Sequence, residues 1–409
     1  MIEGADSLSR RGFIAASATA LSYGRILGAN ERLNIAIIGC GRRGLLKEVL
    51  DFRAGTNCQV AAVCDTWTQP RDAAVAAVRE ATGVAPEQFV RYQDVLALKN
   101  VDAVVIGTPD HQHSTQLTAA ARAGKDAYVE KPLAMDMKEL ILAVDTVKKA
   151  SRIVQCGTQI RSYPHSVAAR QFVASGGLGR ILKVEQSRNG YKPYWHPYGE
   201  RELREKDVDW KGFLMHRKYR PFDKDQYAAW YGYRDFSRGP HANLMVHFID
   251  LVHFVTGASV PRRVVTLGGI YRWKDSRNVP DSVEILLEYP EGFLVRYNTT
   301  FGNGANNFLK FIGTRGVIDA TRWDWDKPWL LSGEGSGEPD RIKPGEAIPS
   351  LESTPHMKNW LECLRTRQQP NAPIDAGYSH SVAVILADEA LVRGRRMVYD
   401  AAKRAIHEG

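Results

Sequence analysis

The stretch "LNIAIIGCGRRG", Leu33 to Gly44, decides the fold, because it joins a buried strand to a glycine-rich turn. Its first part is an apolar, β-branched run that is typical of a strand buried on both faces of a parallel sheet. The helical pattern "LLKEVLDF" follows directly. In such a unit Gly39 permits the tight turn, Gly41 lets the backbone approach a pyrophosphate, and Gly44 lets the helix pack on the strand. We therefore predict a dinucleotide-binding domain with its phosphate site at the helix N-terminus.

A second predicted strand, "CQVAAVCD", ends on Asp65. A carboxylate at this place can accept hydrogen bonds from a ribose hydroxyl, and it would repel a 2′-phosphate. The sequence therefore favours NAD over NADP. Arg42 could neutralise such a phosphate, so NADP remains the alternative.

Strands and helices continue to alternate through "VDAVVIGTPDHQH", "STQLTAAARAGK" and "DAYVEKP". This order predicts an α/β domain with a doubly wound parallel sheet, whose strand ends face the ligand crevice. We assign cofactor binding to the glycine turn and to the strand ends, which together comprise Gly39, Gly41, Arg42, Arg43, Gly44, Asp65, Thr108, Pro109, His111, His113, Glu130 and Lys131.

The elements "GTPDHQH" and "VEKPLA", in this order after G-x-G-x-x-G, resemble the Gfo/Idh/MocA family of glucose-fructose oxidoreductase and inositol dehydrogenase. The likeness runs from about Leu33 to the C-terminus. It implies an NAD(P)-dependent oxidoreductase that acts on a sugar, polyol or sugar derivative. It also implies a second α/β domain whose sheet leaves one face free for a subunit interface, so we expect a homodimer or homotetramer.

Several strand-like segments without intervening helices, from "RILKVEQSRNG" to "FLVRYNTTFG", predict a mixed, mostly antiparallel second sheet. The predicted organisation is a leader at 1–30, a Rossmann domain at 31–155 and a substrate and oligomerisation domain at 156–353. C-terminal helices at 354–409 are expected to pack back on the first two domains.

The predicted catalytic helix starts at Gly239 and Pro240, and Asn243, His247 and Asp250 share one of its faces. The family usually has an Asp four residues before this His, which forms a set with the lysine of Glu-Lys-Pro. Here that position is Asn243. Hydride transfer from an alcohol requires removal of the hydroxyl proton, a task that suits histidine.

We therefore assign His247 as the general base, Lys131 as its electrostatic partner and Asn243 as the residue that orients the histidine. The predicted substrate contacts comprise two residues of this helix and three others, namely Asn243, His247, Arg161, Tyr163 and Tyr191. The aromatic residues Trp195, Trp230 and Tyr231 are candidates to stack on a sugar ring. No metal is expected, because the six-residue spacing of His241, His247 and His253 does not place them on one helical face.

The segment "SRRGFIAA", Ser9 to Ala16, precedes a short apolar run and has the twin-arginine pattern of an export address. We expect the twin-arginine machinery to carry the folded chain to the periplasm, without a stable membrane anchor. Because nicotinamide cofactors are scarce there, NAD should be tightly bound. The formal charge of +9 comes from scattered Lys and Arg matched by acids, so no nucleic-acid partner is expected.

Two other functions remain open. One is an NAD-dependent glycoside hydrolase or lyase that oxidises a hydroxyl transiently, eliminates a neighbouring substituent and returns the hydride. The branch of the family associated with N-acetylgalactosaminidase activity tends to lack the lysine of Glu-Lys-Pro, so Lys131 favours the dehydrogenase. The other is a non-catalytic sugar-binding relative, which Asn243 keeps open.

Overall fold

The computed structural model describes residues 32–193, 202–322, 328–343, 345 and 347–409. The predicted leader and Trp195 lie outside the described residues. No helix in the described ranges combines the length and apolar character that a membrane crossing needs.

The first sheet contains six parallel strands in the order β3-β2-β1-β4-β5-β6. Its strands are β1 Leu33–Ile38, β2 Cys58–Cys64, β3 Glu87–Phe89, β4 Ala103–Ile106, β5 Asp126–Val129 and β6 Val154–Cys156. Its helices are α1 Leu45–Thr56, α2 Thr68–Thr82, α3 Tyr92–Ala97, α4 His113–Arg122 and α5 Met137–Lys149. The order reverses between β1 and β4, and ligands bind at such a switch point.

The second sheet contains nine strands in the order β13-β12-β11-β7-β10-β9-β8-β14-β15. They are β7 Ile181–Ser187, β8 Arg263–Gly269, β9 Ser282–Glu288, β10 Leu294–Thr300, β11 Phe308–Gly313, β12 Gly316–Asp319, β13 Leu330–Ser332, β14 Met397–Asp400 and β15 Ala405–Glu408. Strands β7 and β10 pair in parallel and the other neighbours are antiparallel. The predicted fold class, a Rossmann domain followed by a mixed and mostly antiparallel sheet, is confirmed.

Helices cover one face of the second sheet, and its other face carries exposed apolar side chains. The remaining helices are α6 Pro164–Ala174, α7 Trp210–Leu214, α8 Lys224–Ala228, α9 Val246–Thr256, α10 His356–Thr366 and α11 Ile374–Arg393. Helix α9 packs on α6 and α11, and α11 lies against β8 and β14. Inward residues of the strands, such as Ile285 and Val295, are fully buried, whereas their neighbours on the other face are exposed.

The C-terminal segment differs from the prediction of helices alone. Helix α11 ends at Arg393, because Gly394 takes a left-handed conformation with φ 61°. Strands β14 and β15 then join the edge of the second sheet, and the buried side chains of Met397 and Tyr399 alternate along β14. Helix α10 packs on α1, and its buried Trp360 ring lies 5.8 Å from that of Tyr128.

Residues 202–236, which we call the roof segment, link the second sheet to the first domain. This segment contains α7 and α8 and packs as an aromatic cluster around Trp210, Phe213 and Tyr227. Trp67, which follows β2, belongs to the same cluster. The roof segment therefore rests on the Rossmann domain near the carboxyl end of β2.

Candidate cofactor and catalytic cleft

A cavity of about 980 Å³ lies at the carboxyl ends of β1, β2, β4 and β5. This volume is at the upper end of the range for small-molecule sites. Most of the residues assigned to the cofactor line it, namely Gly39, Gly41, Arg42, Arg43, Asp65, Thr108, Pro109, His113, Glu130 and Lys131.

The glycine turn has the backbone that a dinucleotide site needs. Gly39 has φ 92°, and a Cβ atom there would lie 2.7 Å from the carbonyl carbon of Gly107. A Cβ atom on Gly41 would have no neighbour within 4 Å, so this backbone faces open space in the cleft. Gly44 caps α1 in a left-handed conformation with φ 76°. The turn therefore fits a pyrophosphate that approaches the N-terminus of α1.

Asp65 supports the glycine turn from the end of β2. Its Oδ2 atom accepts a 2.8 Å hydrogen bond from the Cys40 amide, and Oδ1 accepts one of 2.8 Å from the Trp67 amide. A carboxylate has about four lone-pair sites. Because Asp65 also lines the cavity, it can still accept a hydrogen bond from a ribose hydroxyl.

Arg43 and Glu130 connect the glycine turn to the end of β5. The Nε atom of Arg43 lies 2.7 Å from Oε1 of Glu130, and its guanidinium also contacts Glu48 at 2.8 Å. Glu130 packs against Gly157, where a Cβ atom would lie 2.7 Å from the carboxylate. These contacts fix the shape of the cleft beside the cofactor site.

The two histidines assigned to the cofactor have different positions. His113 lines the cavity, and its ring nitrogens lie 2.8 and 2.6 Å from the carbonyl oxygens of Pro132 and Thr108. His111 is fully buried and does not line the cavity, and its Nε2 lies 2.8 Å from the carbonyl oxygen of Phe213. The prediction that His111 contacts the cofactor is therefore corrected, because this ring anchors the roof segment.

Lys131 brings the end of β5 against the predicted catalytic helix. This helix begins with a π-helical turn, His241–Met245, and continues as α9. The Nζ atom of Lys131 donates a 3.1 Å hydrogen bond to the backbone oxygen of Asn243. The buried Asn243 amide donates to Oδ2 of Asp110 at 2.8 Å and to Oγ of Ser237 at 3.3 Å. The amide nitrogen of Asn243 therefore holds Asp110, and the role of Asn243 in orienting His247 stays a prediction.

His247 lies one helical turn after Asn243 and is partly buried. Its Nδ1 atom is buried without a hydrogen-bond partner among the described residues. Burial lowers the pKa of the imidazole well below its ordinary value, and the positive charges of Lys131 and Arg188 lower it further. This direction favours the neutral imidazole, which is the form that can accept a proton.

Asn243 and His247 do not line the cavity, and neither do the three further residues predicted to contact substrate. Arg161 pairs with the buried Asp250 at 2.5 Å, and its guanidinium outweighs the effect of burial and holds the pKa of that carboxyl well below its ordinary value. Tyr163 precedes α6 and packs against the core. Tyr191 is 73% exposed. The substrate contacts of these three residues stay predictions. Trp230 and Tyr231 stack on each other at 3.6 Å and do line the cavity.

The roof segment forms the second wall of the cavity, and sequence reasoning missed it. Its lining residues include Leu203, Lys211, Phe213, His216 and Tyr227. The Asp209 amide donates a 2.7 Å hydrogen bond to the carbonyl oxygen of Thr66, and the Tyr227 hydroxyl lies 3.1 Å from the Thr66 hydroxyl. The density of aromatic residues between 210 and 236 was the available signal.

This glycine turn, the switch point and the cleft define a Rossmann-type oxidoreductase fold. The family model "Oxidoreductase family, NAD-binding Rossmann fold" matches residues 33–158, and "GFO/IDH/MocA C-terminal domain" matches residues 213–319. The chain belongs to the Gfo/Idh/MocA family, and its first domain is an NAD-binding Rossmann domain.

Curated relatives have several activities in their names. Inositol 2-dehydrogenase 2 of Saccharopolyspora erythraea is 34% identical over 164 residues, 39% of this chain and 47% of that protein. The 2,7-anhydro-N-acetylneuraminate hydratase of Escherichia coli is 24% identical over 228 residues, 55% of this chain and 52% of that protein. A glycosyl hydrolase family 109 protein of Shewanella is 24% identical over 192 residues, 42% of each. The chain spans about half the length of the curated relatives it matches.

Solved structures share the fold over most of the chain. The WlbA dehydrogenase of Bordetella pertussis, in complex with NADH and UDP-GlcNAcA, has a TM-score of 0.68 at 19% identity and covers 90% of this chain and 99% of its own. A levoglucosan dehydrogenase in complex with NADH and levoglucosan has a TM-score of 0.66 at 16% identity and covers 90% and 98%. At these identities the likeness concerns the fold alone.

The glycine turn gives a direct test of the cofactor site. A Gly41→Val side chain would project into open space, so the fold should keep its melting temperature while the dissociation constant for NAD rises by at least about tenfold. Gly337→Val is the matched control, because a Cβ atom there also has no neighbour within 4 Å and the residue does not line the cleft. Equal NAD affinity in both variants, measured by calorimetry, would place the pyrophosphate elsewhere.

Proposed function

We propose that this protein is an NAD-dependent oxidoreductase that removes hydride from a hydroxyl-bearing carbon of a sugar, polyol or sugar derivative. The observation that carries the proposal is the position of Lys131, which lines the dinucleotide cleft and is hydrogen-bonded to the helix that bears His247. The names of the inositol dehydrogenase relative and of the structures with sugar ligands support the substrate class.

In the proposed reaction the neutral His247 imidazole accepts the proton of the substrate hydroxyl. The Lys131 ammonium lies beside the same oxygen and favours its negatively charged form. Bound nicotinamide supplies the hydride acceptor. Trp230 and Tyr231, stacked at the cavity wall, offer an apolar face to a sugar ring.

A second candidate is a glycoside hydrolase or lyase without net redox change. The hydratase and the family 109 glycosyl hydrolase among the relatives favour it. In this reaction transient oxidation of a hydroxyl acidifies the neighbouring C–H, a substituent is eliminated, and the hydride returns. The same base and cleft would serve both reactions, so the products distinguish them.

A product screen by mass spectrometry over free sugars and glycosides, with and without added NAD, tests the proposal. Net oxidation is expected, and cleavage without net oxidation would establish the second candidate instead. Lys131→Ala and His247→Ala should each lower turnover by at least about a hundredfold and keep the bound cofactor. Near-normal rates in both variants would remove the catalytic assignment.

We also propose that the cofactor is NAD and that it is held too tightly to exchange during turnover. Asp65 lines the cleft at the end of β2, where its carboxylate can accept a hydrogen bond from a ribose hydroxyl and would repel a 2′-phosphate, and this supports NAD over NADP. The roof segment supports retention, because it closes the cleft over the end of β2 through the contacts of Asp209 and Tyr227 with Thr66. Retention fits the proposal that the twin-arginine leader directs export to the periplasm.

Cofactor retention can be measured without any substrate. Tyr227→Ala removes the Trp67 ring contact at 6.1 Å and the hydrogen bond to Thr66, so we expect nicotinamide to dissociate at least about tenfold faster during dialysis. Tyr219→Ala is the matched control, because Tyr219 lies in the same segment, is 70% exposed and does not line the cavity. If denatured wild-type protein releases no stoichiometric nicotinamide, the proposal that the protein retains its cofactor is refuted.

The open face of the second sheet supports the proposal of a homodimer or homotetramer. Val265 and Leu286 pair across β8 and β9, and Leu267 and Leu294 lie on the same face. The side chains of these four residues are 42–79% exposed, with Leu267 the most exposed. The ion pairs Arg263–Glu288 and Arg296–Glu284 lie between them on this face. Large apolar side chains exposed together on an uncovered sheet face are typical of an interaction site. A second copy would bury it by packing sheet on sheet.

Subunit association predicts a specific effect of charge on this face. Leu267→Glu together with Leu286→Glu should convert the oligomer to a monomer, because burying unpaired carboxylates in an interface is costly. Leu142→Glu on α5 is the control, since Leu142 is 48% exposed on a different surface. Sedimentation velocity measures the outcome, and an unchanged sedimentation coefficient in the double variant would refute the interface.

A further inference from the structure

The cleft contains a buried carboxylate, that of Asp110, to which no function was assigned from the sequence. Asp110 begins a short 3-10 helix that follows the loop after β4, is 2% exposed and lines the cavity. Its Oδ2 atom accepts hydrogen bonds from the Ser237 hydroxyl at 2.7 Å and from the Asn243 amide at 2.8 Å. Both hydrogen bonds are accepted by Oδ2, so they leave the lone pairs of Oδ1 available to other donors.

Asp110 differs from the other deeply buried carboxylates of this region. Asp250 and Asp388 are each within 3.1 Å of an arginine. Among the described residues, no cation lies within ion-pair distance of Asp110. Burial raises the pKa of this carboxyl, and the charges of Lys131 and His113 together with the hydrogen bonds from Ser237 and Asn243 oppose that rise. Burying a carboxylate without an adjacent arginine costs free energy of folding. The presence of Asp110 in the cleft therefore suggests a role beyond packing.

Lys131 is the group on which Asp110 acts most directly. Burial lowers the pKa of Lys131, and the negative charge of Asp110 opposes that effect more than any other group. Glu130 acts in the same direction, whereas Arg43 and Arg188 lower the lysine pKa further. His247 also faces Lys131, and burial together with the lysine charge lowers the pKa of its imidazole.

We propose that Asp110 is the positioning carboxylate of Lys131, and that its charge keeps the lysine protonated for its action on the substrate oxygen. This inference rests on the proposed function. Asn243 then has a clear purpose as an amide, because its nitrogen donates to Asp110 and its backbone oxygen accepts from Lys131. A carboxylate at 243 would lie against Asp110, and one of the two acids would have to be protonated.

A purely structural role for Asp110 would require its hydrogen bonds and not its charge. Ser237 belongs to the loop before the catalytic helix, so the Asp110–Ser237 bond does tie that loop to β4. An Asn at 110 can still accept hydrogen bonds from Ser237 and Asn243, but it carries no charge. The two roles therefore predict different effects on Lys131.

The experiment compares Asp110→Asn with the exchange Asp110→Asn/Asn243→Asp, which returns a carboxylate–amide pair to the same two positions. Competitive acetylation with acetic anhydride across pH, read by peptide mass spectrometry, reports the Lys131 pKa in the purified protein without any turnover. In Asp110→Asn we expect that pKa, and the alkaline limb of kcat/KM, to fall by at least about one unit, because a neighbouring opposite charge is lost. In the exchange variant both should return toward the wild-type values.

Ser237→Ala is the control, because it removes a hydrogen bond from Oδ2 and keeps the charge. It should leave the Lys131 pKa near that of the wild type. An unchanged lysine pKa in Asp110→Asn, or an equal fall in Ser237→Ala, would overturn the proposal. If Asp110→Asn does not fold, the exchange variant decides, since a wild-type lysine pKa supports the proposal and a lowered one refutes it. If the protein oxidises no sugar, the proposed function fails while the labelling still tests the Asp110–Lys131 pair.

Discussion

The close contact between the ends of β1 and β4 is the constraint on which the rest of the structure depends. Position 39 has no room for a side chain, because a Cβ atom there would lie 2.7 Å from the Gly107 backbone. Because the two strand ends touch, the chain must diverge on either side of them, and the crevice opens at the switch point. Asp65, Asp110 and Lys131 follow neighbouring strands at this edge, so one backbone contact brings the cofactor turn and the reactive side chains together.

Buried charges then fix the catalytic helix from two sides. Asp250 on α9 is held by Arg161, which follows β6, and by His380 on α11. Before α9, His241 contacts Asp388 of α11 at 3.0 Å. Each of these carboxylates also has an arginine within 3.1 Å, which offsets the cost of burying a charge. These contacts hold both ends of the segment that bears His247, and the residues predicted to be catalytic lie outside the ion pairs.

Features set by neighbouring residues could be predicted from the sequence, and features set by distant partners could not. The strand–turn–helix of residues 33–56 and the strand ends at Thr108 and Glu130 follow from local patterns, and the structure has them as expected. The exclusion of His111 from the cleft depends on Phe213, 102 residues away, and that of Arg161 on Asp250, 89 residues away. The roof segment has no regular period, so its packing against Trp67 was not visible in the chain.

The sequence and the structure give different information about Asn243. In the sequence it indicated a lost carboxylate, because the family usually has Asp at that position, and this kept a non-catalytic function open. In the structure the amide contacts a carboxylate on the adjacent strand end, 133 residues earlier in the chain. The carboxylate of Asp110 therefore contacts the helix predicted to be catalytic, and it comes from a short helix that follows the loop after β4. A carboxylate can come either from the short helix after β4 or from the predicted catalytic helix. The change from Asp to Asn at position 243 alone is therefore weak evidence for the loss of catalysis.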